Sequence, residues 1–144
     1  MSPEVRLARP ADMPDVFALR HEVFVLGQDV PEELERDEYD DVVDHGVAYV
    51  DGELLATGRL LPPETPDGAA IVGRMAVAAA ARGQGLGAAV LELLERTARE
   101  RGWRRIELHA QVHATGFYDR AGYQPDGDAY LEAGIEHLTM RKDL

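Results

Sequence analysis

The chain has no cysteine, which excludes disulfides, thiolate nucleophiles and cysteine-ligated metal. Bases are scarce: 15 lysines and arginines stand against 27 acids, for a formal charge of −12. So acidic a chain does not hold nucleic acid by neutralising its backbone, and it accommodates a cationic partner more readily. Long hydrophobic runs are missing too. The longest, residues 75–81, is far too short to span a bilayer, and residues 1–10 lack the apolar centre of a signal peptide. The expectation is a cytoplasmic protein without a membrane partner. What the chain does have is 45% hydrophobic residues over 144 positions, enough for the core of one domain spanning residues 1–144.

Its periodicities alternate between strand and helix. Residues 5–8 suit a short strand, and Asp12 suits an N-cap for a helix running to about Val25, with Val16, Leu19 and Val23 on its apolar stripe. Residues 29–44 carry nine acids and one base, and composition favours a solvated connection. Asp51-Gly52 separates two alternating runs and predicts a type I′ hairpin. Residues 69–77 are apolar except for Arg74 and read as a central strand. A helix follows over residues 85–101, with Leu86, Val90, Leu93 and Leu94 inside and Glu92, Glu95, Arg96, Arg99 and Glu100 outside. Residues 106–110 read as a strand, 114–121 as a short helix and 137–141 as a last strand, giving a mixed sheet that carries helices.

Between the central strand and the long helix stands Arg82-Gly83-Gln84-Gly85-Leu86-Gly87. Glycines at alternating positions let a ligand approach the backbone closely, and the amides opening a helix favour an anion. The pattern selects a phosphate. It fits a dinucleotide fingerprint, with Glu107 about twenty residues on, but an antiparallel hairpin precedes it and Glu107 falls early in its strand. A P-loop is excluded because no lysine follows the glycines.

Val77, the Arg82-x-x-Gly85-x-Gly87 run and Phe117-Tyr118-x-x-x-Gly122-Tyr123 together resemble the acetyl-CoA signature of the GNAT N-acetyltransferases. Further positions, among them Arg20, Gln28, Glu35, Asp37, Asp40, Gln111, Ile135, His137 and Met140, resemble the ElaA-like branch. Gly27 and Glu136 depart from that branch's pattern, so its acceptor is not carried over. The resemblance implies a single α/β (mixed α+β) domain of GNAT-like fold, with a mixed, mostly antiparallel sheet and helices on both faces. It also implies acetyl transfer from acetyl-CoA, as co-substrate, to an amine on a small molecule or peptide.

By the same resemblance, the backbone of Met75, Ala76 and Val77 pairs with pantetheine, as an added strand would. Gly83, Gln84, Gly85, Leu86 and Gly87, with the charge of Arg82, hold the pyrophosphate, and Phe117 lies beside the cofactor. Tyr118 is the expected general acid, since a phenol is protonated at neutral pH and can donate to a departing thiolate. For a base the candidates are Glu22, Glu107, His109, His113, Glu132 and His137, none of them singled out. No metal is expected: His109-x-x-x-His113 starts on a strand and lacks the H-E-x-x-H pattern. Folds of this kind often pair, so a homodimer is an open expectation. Two other readings remain, a non-catalytic acyl-CoA-binding module and a dinucleotide-binding protein.

Overall fold

The computed structural model describes residues 2–144. Strand β1 (Glu4–Leu7) is followed by helix α1 (Met13–Arg20), a π-helical turn (His21–Leu26) and the single turn α2 (Glu32–Glu35). Next come β2 (Asp44–Val50), β3 (Glu53–Leu61) and β4 (Ala70–Val77), then α3 (Leu86–Glu100), β5 (Arg105–Gln111) and α4 (Thr115–Arg120). The chain ends with β6 (Gln124–Pro125), β7 (Tyr130–Glu132) and β8 (Ile135–Asp143). All described strands join one sheet in the order β1-β2-β3-β4-β5-β8-β6, with β7 also on β8. Only β4 and β5 run parallel, and α3 makes the crossover between them. The expected mixed, mostly antiparallel sheet is therefore present.

Local chemistry explains the turns and helix faces. At the β2–β3 hairpin Asp51 and Gly52 take φ of 54° and 81°, the left-handed pair that a type I′ turn demands. Alternation along β2 sends Val47 to one face, against Val16, Leu19 and Val23 of the α1 segment, and Ala48 to the other, against α3. Helices thus cover both faces. On α3 the buried stripe is Leu86, Val90, Leu91, Leu94 and Ala98, and each large aliphatic side chain there contributes about 1.5–3 kcal/mol by leaving water.

Four expectations need correction. Glu95 is not on the wet face of α3: it is 4% exposed, accepting from the Tyr123 hydroxyl at 2.8 Å and the Lys142 ammonium at 3.1 Å. Helical geometry places it there, four residues after Leu91 and three before Ala98. The helix from Met13 does not stay α-helical to Val25, because its last stretch widens into the π turn. Asp12 precedes that helix without capping it, and its carboxylate instead accepts from the Arg9 amide at 2.7 Å and from Arg6.

The fourth correction concerns residues 29–44. Asp29, Glu32, Glu33, Glu38 and Asp41 are solvated, but Glu35 and Asp40 are buried. Arg20 of α1, fully buried, donates to Glu35 Oε1 at 2.9 Å and to Asp40 Oδ1 at 2.7 Å. Arg59 of β3 reaches the same Asp40 oxygen at 2.9 Å and grips Asp37 at 2.6 and 2.7 Å. Arg74 of β4 donates to the Glu35 carbonyl at 3.0 Å. The acidic segment is therefore bolted to helix and sheet by three arginines. Burial opposes the charge on Asp40, yet hydrogen bonds from Arg20 and the Asp37 amide outweigh it and hold its carboxyl well below the usual range.

Candidate active site

The site begins where the parallel pair comes apart. β4 and β5 pair only through Ala70–Ile106, Ile71–Glu107 and Val72–Leu108, although β4 continues to Val77 and β5 to Gln111. On its other edge β4 stays with β3 up to Ala56–Val77. In between, Arg74 and Met75 stand opposite the single Gly58, a bulge in which Arg74 takes φ of 50°. The strained residue is held by its own side chain, which reaches the α2 backbone and Asp37. A β-bulge bends its strand and strengthens the local twist, which accounts for the parting from β5.

At the end of β4 a 3₁₀ turn (Ala79–Ala81) leads into the glycine loop. Gly83 and Gly85 both have φ of 81°, and a Cβ built on either meets no atom within 4 Å. Backbone conformation, not crowding, demands glycine there, and both residues are exposed. Gly87 differs: its Cβ would come within 3.2 Å of Val77 Cγ2 and 3.5 Å of Phe117 Cζ. The end of β4, the first turn of α3 and α4 thus meet at one point. Arg82 is exposed beside the loop, and Gln84 is exposed within it.

Phe117 and Tyr118 contact edge to face at 5.0 Å, and Tyr118 meets Tyr123 likewise at 5.9 Å. Tyr118 is 8% exposed, and burial pushes its phenol up to about 12. The group stays protonated across the physiological range.

The opposite face of the parted strands carries a second set of polar side chains. The β5–β8 register sets Gln111 opposite His137, His109 opposite Thr139 and Glu107 opposite Arg141. Gln111 and Gln28, from the end of the α1 segment, exchange amide hydrogen bonds at 3.1 and 2.7 Å. Tyr130 lies across from His137 and stacks on its ring, and meets His109 edge to face. The Tyr130 hydroxyl is buried without a hydrogen-bond partner, and burial raises its pKa. The structure thus brings Met75–Val77, Arg82–Gly87 and Phe117-Tyr118 around one opening. Of the base candidates, Glu107, His109 and His137 lie on the far face of β5 and β8, Glu132 stands beside His137, and Glu22 and His113 are exposed. Sequence reasoning did not anticipate Tyr130 or the Arg74 latch. The signal for Arg74 was there: a lone arginine inside an apolar strand needs buried partners.

A sheet parted along its one parallel seam, with a glycine turn and helix start at the gap, is the architecture of the acyl-CoA N-acyltransferases. An acyl-CoA N-acyltransferase from Pseudomonas aeruginosa superposes with a TM-score of 0.84 at 37% identity, over 98% of this chain and 99% of that one. The chain belongs to the GNAT acetyltransferase family, whose domain model matches residues 12–144. It is 36% identical over 130 residues to YjcF of Bacillus subtilis, named an uncharacterized N-acetyltransferase, covering 90% of this chain and 91% of that protein. Escherichia coli ElaA superposes at a TM-score of 0.85 with 26% identity, over 98% and 99% of the two chains, in keeping with the ElaA-like branch. Among the described residues no helix is long and apolar enough to cross a membrane.

Proposed function

We propose that this chain transfers an acetyl group from acetyl-CoA to a primary amine on a small molecule or peptide, by direct attack, as one catalytic unit working in the cytoplasm. The observation that carries the reading is the β4–β5 seam, open beyond Val72 and Leu108 and bordered by the glycine turn. The residues fit the ligand: strand edge for an amide-bearing pantetheine, and an exposed glycine turn at Gly83 and Gly85, uncrowded at its α-carbons and leading into a helix start, for a pyrophosphate. Bound acetyl-CoA supplies an activated thioester carbonyl. In this reading the backbone of Met75, Ala76 and Val77 holds the pantetheine, and the amides of Gly83 to Gly87 with Arg82 hold the pyrophosphate. Phe117 supports the turn and Tyr118 protonates the departing thiolate. The buried, high-pKa phenol suits an acid that must remain protonated until sulfur develops charge.

Thermal unfolding with and without acetyl-CoA tests the reading without knowledge of the acceptor. Acetyl-CoA at 100 times its Kd is expected to stabilise the fold by about 2.7 kcal/mol, with NAD(H) giving no shift. Stabilisation by NAD(H) alone would return the protein to the dinucleotide binders. Thiol release from acetyl-CoA with amines then separates an enzyme from a module that only binds the acyl-CoA.

A further inference from the structure

On the far side of the seam one imidazole is held differently from every other base candidate. His137 is 7% exposed, and its Nδ1 lies 2.7 Å from the Ile135 carbonyl oxygen. A carbonyl only accepts, so Nδ1 carries the proton and the neutral ring presents a bare lone pair at Nε2. Tyr130 stacks on the ring and fixes its plane. The Glu132 carboxylate stands 3.7 Å from Nε2, too far for a hydrogen bond to the ring. The strand register sets His137 against Gln111, at the end of β5 that has left β4.

The competing groups are otherwise engaged or remote from this arrangement. Glu107 Oε1 accepts from Arg141 at 2.9 Å, and its other oxygen faces His109 at 3.3 Å. His113, Glu22 and Glu136 are exposed to solvent.

We infer that His137 is the catalytic base that takes the proton of the incoming ammonium, an inference that rests on the transferase reading above. The acceptor gives one proton to Nε2, and its freed lone pair forms the C–N bond as the thioester C–S bond breaks. The thiolate takes the Tyr118 hydroxyl proton, and the second proton lost by the nitrogen restores the phenol. The imidazolium proton leaves to solvent past Glu132, whose side chain is 56% exposed. The charged groups facing the ring are Glu132 on β7 and, beyond Tyr130, the His109–Glu107 pair, while Glu136, next to His137 on the same strand, points to the other face of the sheet.

The test compares wild type with His137→Gln in the full chain. Thiol release is followed from pH 6 to 10 with spermidine, a lysine peptide, kanamycin and phenethylamine, using the fastest of the four. At pH 7 the variant is expected to lose about a hundredfold in kcat/KM for the amine. The deficit shrinks as pH approaches the amine's own ionisation near about 10. Acetyl-CoA is expected to protect both proteins equally from thermal unfolding, which shows that the variant is folded. An equal loss at every pH, or no loss, overturns the base. Histidine 15N spectra of the wild type add a readout that needs no acceptor: a protonated Nδ1 and bare Nε2 support the inference, and a protonated Nε2 overturns it. Lack of protection by acetyl-CoA overturns the transferase reading itself, and no thiol release with any amine overturns both.

Discussion

Arg20 and Glu35 form an ion pair closed to water, in which the guanidinium takes both the carboxylate, at 2.9 Å from Nε, and the main-chain carbonyl of the same residue, at 2.9 Å from Nη2. Removing one partner of such a pair leaves the other charged and buried. Arg20→Met is expected to cost about 3–5 kcal/mol in guanidinium unfolding. A cost within about 0.5 kcal/mol, the range of ordinary surface substitutions, would show that the network is solvated after all.

The same network sets an acid limit. The Arg59 hydrogen bonds lower the pKa of Asp37; burial opposes the charge on Asp40, but Arg20 and the Asp37 amide lower it further. Lowered folded-state values mean that the stabilisation is complete above the unfolded carboxylate range, about 3.9, and is lost as pH falls through the folded values. Unfolding free energy is therefore expected to hold steady from pH 7 to about 5 and to decline below about 4. Stability that rises on acidification through that window would contradict the pairing.

Gly85 caps α3 at a φ of 81° with open space beyond its α-carbon. Gly85→Ala is expected to lose about 1–2 kcal/mol of stability from left-handed strain. The added methyl also stands where the pyrophosphate is proposed to sit, so acetyl-CoA is expected to bind at least about tenfold more weakly, or 1.4 kcal/mol. Titration calorimetry with unchanged affinity would move the phosphate site elsewhere.

For Tyr118→Phe the expected change is confined to turnover. Loss of a positioned acid lowers kcat by about a hundredfold, with acetyl-CoA affinity unaltered. Because burial pushes the phenol up to about 12, the wild-type rate is also expected to show no alkaline decline from this group below about pH 10. Wild-type turnover in the variant would remove Tyr118 from the chemistry.

Tyr123 donates to buried Glu95 at 2.8 Å, and Lys142 completes the cluster at 3.1 Å. Tyr123→Phe is expected to cost about 1.5–3 kcal/mol, the range for a hydrogen bond to a charged group. A double-mutant cycle with Glu95→Gln checks the coupling, and strict additivity would mean the two side chains act separately.

Much of the fold was readable because its signals were local. Asp51-Gly52 specified a hairpin, the glycine run marked a helix start, and the stripe on α3 followed from spacing alone. The acidic segment was not readable from composition, which counts charges without their partners. Arg20, Arg59 and Arg74 arrive from an earlier helix and two later strands. β6 and β7 also escaped, since Gln124–Pro125 and Tyr130–Glu132 are too short to show a period and owe their strand form to β8. On the site, the resemblance picked out the turn and Tyr118, whereas the exclusive hold on His137 depends on the backbone carbonyl two residues before it. No residue type encodes that contact.

The parted seam also bears on the life of the protein before it meets a ligand. Strand edges are ordinarily confined to the margins of a sheet, where charge, proline or short length guards them against sticking to other chains. Here two such edges lie in the middle, along β4 after Val72 and β5 after Leu108. In the proposed reading the pantetheine that fills the gap supplies the missing rung of the ladder, so acyl-CoA is expected to protect those edges from pairing with other chains as well as to serve the reaction.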